Sequence, residues 1–151
     1  MYKIAFTFLK LFAIIMSKMV EENKLQECKI TLTTSVDGKE TQIIKKGSVS
    51  ISCSKVVVNY QEKNAEFTLI FEKDGVTLER CGDYALSLLL KQGEISEGTL
   101  AFGGTVGEIR VQAHKIAYSV SRDALLASLH YDLIFGEERQ EMKLRLYVKT
   151  E

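Results

Sequence analysis

From Leu25 to the end of the chain, apolar and polar side chains alternate along most of the sequence with a period of two residues. The first run places these residues on one face: Ile30, Leu32, Thr34 and Val36. Successive side chains of a β-strand point to opposite faces of the sheet, so this period is typical of strands with one buried face. The pattern predicts an all-β fold and argues against a helical bundle.

Turn residues interrupt the alternation at intervals of roughly ten to thirteen residues. Asp37-Gly38 and Asp74-Gly75 are the strongest signals, because tight hairpin turns need residues that tolerate a positive φ. The intervals predict roughly eight to ten strands joined by short hairpins. We expect residues 25–150 to form one closed, antiparallel, up-and-down β-barrel, since closure removes the exposed edges of so long a sheet.

Four places depart from simple alternation. Segments 83–90 and 123–129 contain residues that suit helices as well as strands, and we predict strands for both. Gly47 lies inside a long strand, which indicates a bulge or a sharp bend. The phase of the alternation slips near His114, which indicates an irregularity there.

Residues 1–20 differ from the rest of the chain because they are mainly apolar. Lys10 interrupts them, so no uncharged stretch reaches the ~20 residues of a membrane span. The segment could be a short apolar, helical extension or a weak secretory signal. We favour a third interpretation, in which translation starts at Met16 or Met19 and residues 1–15 are a misannotated start.

Composition and charge limit the classes of partner that we expect for this chain. The 151 residues carry no formal net charge, which argues against a nucleic-acid partner because phosphate contacts require a basic surface. The three cysteines, Cys28, Cys53 and Cys81, have neither disulfide-framework nor zinc-site spacing. We interpret them as small buried hydrophobic residues in a reducing cytoplasm, and expect no membrane association.

No catalytic motif is present in the sequence, so we expect a protein that is not an enzyme and has no cofactor. The glycines of 103–107 resemble a phosphate loop only in composition, and a hairpin is the better interpretation. His114 and His130 have no partners at a recognisable metal-ligand spacing. We therefore predict surface or internally satisfied histidines and no metal site.

Four polar residues fall on the apolar faces of their strands. Arg80 shares the phase of Val76 and Leu78, and a buried guanidinium is costly unless it is paired. It could close one end of the barrel through backbone carbonyls or an aromatic ring, or it could meet an anionic ligand. Three tyrosines interrupt or end aliphatic faces in the same way and are further ligand-binding candidates: Tyr60, Tyr118 and Tyr131.

Several short motifs resemble those of the YwiB-like family of uncharacterised bacterial proteins. Gly75–Gly82 looks like the family's "I-x-R-x-G" strand, and 130–133 looks like its "x-Y-x-L" segment. The matching positions are Arg80, Gly82, Gly107, Tyr131 and Leu133, and the resemblance covers roughly residues 25–150. Phe102–Thr105 departs from the aromatic-threonine hairpin of the family, and residues 1–20 have no counterpart. The resemblance implies a calycin-like barrel, related to lipocalins and fatty-acid-binding proteins, and no established activity.

Two functions fit these observations. The first is a barrel that binds a small, mainly apolar ligand in its interior, since a barrel of about eight strands is just wide enough to hold one. The second is a protein-interaction or self-assembly module, such as a homodimer, with side chains filling the barrel. Strands with consecutive apolar residues favour the second, because period two sends one neighbour outward from Ile43-Ile44 and from 88–90.

Overall fold

The computed structural model describes residues 25–151, so the predictions for residues 1–20 lie outside the described part of the chain. Ten strands follow one another: β1 Gln26–Val36, β2 Lys39–Ile51, β3 Lys55–Glu62, β4 Ala65–Glu72, β5 Gly75–Cys81, β6 Tyr84–Leu90, β7 Ile95–Phe102, β8 Thr105–Val120, β9 Ala124–Phe135 and β10 Glu138–Thr150. Between residues 25 and 151, no helix is long and apolar enough to cross a membrane.

The strands form one closed barrel in which each strand pairs antiparallel with the strands before and after it. The first and last strands close the wall, with Cys28 opposite Thr150 and Val36 opposite Met142. The predicted up-and-down antiparallel barrel is therefore confirmed. The two ambiguous segments are the strands β6 and β9, as predicted.

The Asp37-Gly38 turn has the predicted geometry. Asp37 has a φ of 49° and Gly38 a φ of 87°, so both central positions lie in the left-handed region. The Asp37 carboxylate also accepts a hydrogen bond from the backbone N–H of Glu141 at 2.9 Å. This contact ties the first hairpin to β10, beside the seam that closes the barrel.

The middle of the barrel is filled by the apolar faces that the alternation predicts. Val, Leu, Ile and Phe side chains from all around the wall are almost fully buried there, and no polar or charged residue of 25–151 is fully buried. The largest of them are Phe71, Ile30, Leu69, Leu88, Leu90, Ile109, Leu125, Leu129 and Leu146. This packed layer separates the two ends of the barrel.

Gly47 marks a close approach of neighbouring strands, and the alternative of a bulge there is wrong. The register of β2 runs through Gly47 without a break, with Cys28 of β1 on one side and Tyr60 of β3 on the other. A side chain at this position would lie 2.3 Å from the carbonyl oxygen of Asn59. Glycine is therefore required because two strands approach closely. Residues 39–46 of β2 pair only with β1, which leaves a gap in the wall before β3.

The phase slip near His114 is confirmed as a β-bulge. Ala113 pairs with Tyr131 of β9, and Lys115 pairs with His130, so His114 is the extra residue. The inward face continues from Ala113 to Ile116 across the bulge. His114 and Lys115 consequently both lie on the outer face, and bulges are a common means of redirecting side chains.

The prediction that all three cysteines are buried is wrong for two of them. Cys28 lies in the core, whereas Cys53 and Cys81 are exposed, and all three are free thiols. Cys53 falls in the turn after β2, where the alternation has ended. Cys81 ends β5 on the phase opposite to Arg80, which sends its side chain outward.

Candidate functional site

An internal cavity of about 420 Å³ lies at one end of the barrel. We call this the Arg80 end; it contains the β3–β4 and β5–β6 turns. The wall of the cavity is mainly apolar and includes Leu32, Phe67, Leu69, Leu78, Leu133 and Leu144. Leu69 belongs to the packed middle layer, so the cavity has a closed floor of core side chains.

Arg80 lies at this cavity with its side chain only 13% exposed. Its Nη1 donates to the carbonyl oxygen of Tyr84 at 2.7 Å, and its Nη2 donates to Oδ1 of Asp83 at 2.7 Å. The guanidinium also stacks on the Tyr84 ring, with 3.6 Å from its carbon to the ring centroid. The structural role expected for Arg80, a carbonyl and aromatic cap on one end of the barrel, is present.

The ion pair of Arg80 is only partly shielded from water, because the Asp83 side chain is 65% exposed. The hydrogen bond from Arg80 holds the pKa of the Asp83 carboxyl below its ordinary value. A guanidinium has five N–H donors, and the contacts described above occupy two of them. The rest of its hydrogen-bonding capacity is open to another acceptor at the cavity.

Tyr60 and Tyr131 line the same cavity. The Tyr60 ring stacks on Phe67 with centroids 5.0 Å apart. Burial raises the pKa of Tyr131 to about 12. Burial, followed by the charge of Glu62, raises the pKa of Tyr60 as well. Both hydroxyls are therefore neutral at pH 7, and neither has a hydrogen-bond partner among residues 25–151.

Tyr118 lies at the opposite end of the barrel, apart from the other three candidates. Its hydroxyl donates to the carbonyl oxygen of Glu72 at 2.9 Å, and its ring contacts Phe71 with centroids 5.3 Å apart. β8 runs away from the Arg80 end, so a residue near the end of β8 reaches the far side of the core. Tyr118 closes that end, which we call the Tyr118 end.

Polar and aromatic side chains surround the mouth of the cavity. Glu62 and Gln140 supply polar atoms to its lining, and the gap between β2 and β3 adjoins it, with Arg80 lining both. A shallower apolar recess beside the cavity includes the exposed rings of Phe102 and Phe135. The Arg80 end thus combines an apolar interior, the charged groups of Arg80 and Glu62 in its lining, and exposed aromatic rings beside its mouth.

A second group of residues meets on the outer wall, where the sequence patterns did not predict a site. Nε2 of His114 lies 3.0 Å from Oδ2 of Asp132, and the rings of His114 and His130 have centroids 4.8 Å apart. The outward phase of His130 and Asp132 is visible in the sequence. The position of His114 beside them is not, because it depends on the bulge and on the pairing of β8 with β9.

Asp132 is held in place from two sides. Besides His114, Nη1 of Arg139 lies 3.3 Å from Oδ2 of Asp132 and donates to Oε1 of Gln112 at 2.6 Å. Burial acts to raise the pKa of Asp132, but the hydrogen bonds and charges of His114 and Arg139 outweigh it and leave the pKa below its ordinary value. The carboxylate is therefore ionised at neutral pH.

Fold and cavity together define a ten-stranded, closed, antiparallel barrel with a chamber at one end. The chain belongs to the family described as a domain of unknown function, DUF1934, whose model matches residues 28–146. The crystal structure of the ywiB protein from Bacillus subtilis is similar, with a TM-score of 0.74 and 13% identity over 87% of this chain and 97% of that one. The resemblance found in the sequence is confirmed, and at this identity the likeness concerns the fold alone. No curated protein matches the chain.

Proposed function

We propose that this protein binds a small, mainly apolar ligand with an anionic end in the cavity at the Arg80 end. The observation that carries the proposal is the combination of an apolar chamber of about 420 Å³ with a largely buried guanidinium on its wall. Ligand sites are typically apolar clefts of roughly 300–1,000 Å³ with a few convergent polar groups. The chamber has this size and this distribution of groups.

The polar groups of the chamber favour binding rather than catalysis. Arg80 supplies a permanent positive charge, and the neutral hydroxyls of Tyr60 and Tyr131 supply hydrogen-bond donors without partners in the described chain. A carboxylate or similar group would accept from these donors while its apolar part contacts the leucines of the floor. We therefore propose a non-enzymatic, calycin-like binding protein.

The state of the cysteines supports a cytoplasmic location for this activity. Cys53 and Cys81 are exposed and unpaired, and exposed free thiols are typical of proteins in a reducing compartment. We propose that the ligand is a cytoplasmic metabolite.

Native mass spectrometry of the full chain, purified gently from the cytoplasm, tests the proposal directly. We expect a reproducible extra mass in the range of a small amphiphile, which organic extraction removes. A bare chain after gentle purification, combined with no binding of octanoate or octanol at millimolar concentration, would contradict it.

The role of Arg80 is tested by Arg80→Met, which keeps the length of the side chain and removes its charge. We expect the affinity for octanoate to fall about tenfold or more, because a hydrogen bond to a charged group contributes about 1.5–3 kcal/mol. The affinity for octanol should change little. Calorimetric titration measures both ligands.

Arg110→Met is the matched control for this variant. Arg110 is an exposed arginine on the outward phase of β8. Its replacement should leave the affinity for both ligands unchanged. Equal losses of octanoate affinity in the two variants would assign the effect to the overall charge of the protein and would contradict a role for Arg80.

A second candidate function, self-assembly, is favoured by an apolar row on the outer wall. Ile44, Thr31, Tyr147 and Leu126 lie side by side on four neighbouring strands. Ile44 is 61% exposed and Leu126 56% exposed, so Ile44 is the member of the Ile43-Ile44 pair that points outward. The closed wall leaves few free edges, so a second copy of the chain would dock on side chains such as these.

Sedimentation velocity at increasing concentration tests this candidate. A dimer that docks on the row should dissociate when Ile44 and Leu126 are both changed to lysine, whereas the same changes should leave octanoate binding intact. A wild-type protein that remains monomeric at high concentration would exclude self-assembly.

A further inference from the structure

Three metal-ligating side chains converge on the outer wall: His114, His130 and Asp132. One ligand atom from each lies within 4.8 Å of the others, in a group that contains both histidines of the chain. Ligand atoms of a tetrahedral site, each about 2.0–2.2 Å from the metal, lie somewhat closer together than this, so small side-chain rotations would complete the geometry.

The fold holds the three residues together through backbone pairing. His130 and Asp132 are two apart on β9, so both point outward while Tyr131 between them points into the barrel. The bulge places His114 on the neighbouring strand beside them. A site built on paired strands varies less in geometry than one built on loops, which suits a metal ion.

His130 gives an independent reason to expect a ligand. Its Nε2 is enclosed by protein and makes no hydrogen bond within residues 25–151. The contact of this atom with Oε2 of Glu141, at 3.5 Å, is too long for a good hydrogen bond. Enclosed polar atoms usually have a partner, and an ion between His130 and its neighbours would supply one.

We propose that His114, His130 and Asp132 bind a divalent transition-metal ion of the zinc type. Two imidazoles and one carboxylate form a donor set that suits zinc, and such three-residue sets leave a further position open. The carboxylate of Glu141, which pairs with Asp132 from the neighbouring strand β10, lies close enough to His130 to contribute a fourth oxygen.

Some of the neighbouring charges attract such an ion and others repel it. Asp132 and Glu141 are negative, whereas Arg139 contacts Asp132 and Lys115 and Lys143 flank His130 in the sheet. Without a metal, Arg139 and His114 both contact Oδ2 of Asp132, so Oδ1 is the oxygen available to a metal. The lysines bring positive charge near the ion and favour an anion at its open position.

Zinc titration of the full chain with Cys53 and Cys81 changed to serine tests the proposal without interference from exposed thiols. Because the chain contains only two histidines, imidazole ¹H–¹⁵N spectra resolve both rings. We expect zinc chloride to shift His114 and His130 together, with one stoichiometric site in competition with a chromophoric chelator. Shifts of one histidine alone, or none, would overturn the proposal.

Ligand variants measure the contribution of each group. His130→Ala and Asp132→Asn should each weaken zinc binding by more than the roughly 10–100-fold that groups outside the ligand set typically contribute. Ser128→Ala is the matched control, since Ser128 is exposed on the same face of β9, two residues before His130, and offers no strong zinc ligand. This variant should bind zinc within a fewfold of the parent. Zinc affinity that is unchanged in both ligand variants, with the fold intact by circular dichroism, would place the ion elsewhere.

Discussion

Replacing Phe71 with alanine should lower the free energy of unfolding by about 3–5 kcal/mol, which is the usual cost of removing a buried phenylalanine. Phe71 is fully buried on β4, between Val56 of β3 and Val76 of β5 in the sheet. Its ring also contacts Tyr118, which closes that end of the barrel. The strands around a closed barrel cannot move inward freely, so the cavity would persist. Denaturation in urea measures the loss.

Phe102→Ala is the control for this prediction, because it removes the same ring from a site that is 66% exposed. We expect a change within about 0.5 kcal/mol there, as for most surface substitutions. A loss of less than about 1 kcal/mol for Phe71→Ala, at an unchanged denaturant slope, would mean that the core collapses around the gap and that the Tyr118 end is loosely packed.

Gly47→Ala should destabilise the barrel by about 3 kcal/mol, at the upper end of typical overpacking costs. The added carbon would lie 2.3 Å from the carbonyl oxygen of Asn59 and 2.7 Å from Cδ1 of Ile30. The first of these atoms belongs to the backbone of β3, which pairs with β2 here, so β2 and β3 would have to separate at Gly47 to relieve the contact. Thermal and urea denaturation should both show the loss.

Gly107→Ala, on β8, is the control for Gly47→Ala. The only close atom there is the carbonyl oxygen of Leu100, at 3.8 Å, which is an ordinary contact. Alanine loses less conformational freedom than glycine on folding, so this variant should be neutral or more stable by about 0.5–1 kcal/mol. If both glycine variants behave alike, close approach of the strands is not the reason for Gly47.

The sequence predicted the fold well because alternation and turn chemistry are local properties. The Asp37-Gly38 turn and the phase slip at His114 were each visible from a few neighbouring residues. Burial of the cysteines was predicted less well. Cys53 lies just beyond the end of β2, where one residue decides between strand and turn, and local sequence does not fix strand ends to that precision.

The candidate site was partly predictable for the same reason. Phase alone showed that Arg80, Tyr60 and Tyr131 face inward, but it did not show at which end of the barrel each one lies. Strand direction contains that information, and it separates Tyr118 from the others. The group of His114, His130 and Asp132 depends on register between two strands, which no pattern within one strand reveals.

Closure of the wall by β1 and β10 also sets an order of events during synthesis of the protein. These two strands carry some of the most distant contacts in the chain, with Cys28 opposite Thr150, and such contacts form slowly because a long loop must close first. Until β10 takes its place in the wall, β1 and β9 both have unpaired edges. The nascent chain is therefore an open, curling sheet that is most exposed to strand pairing with other molecules just before it becomes a barrel.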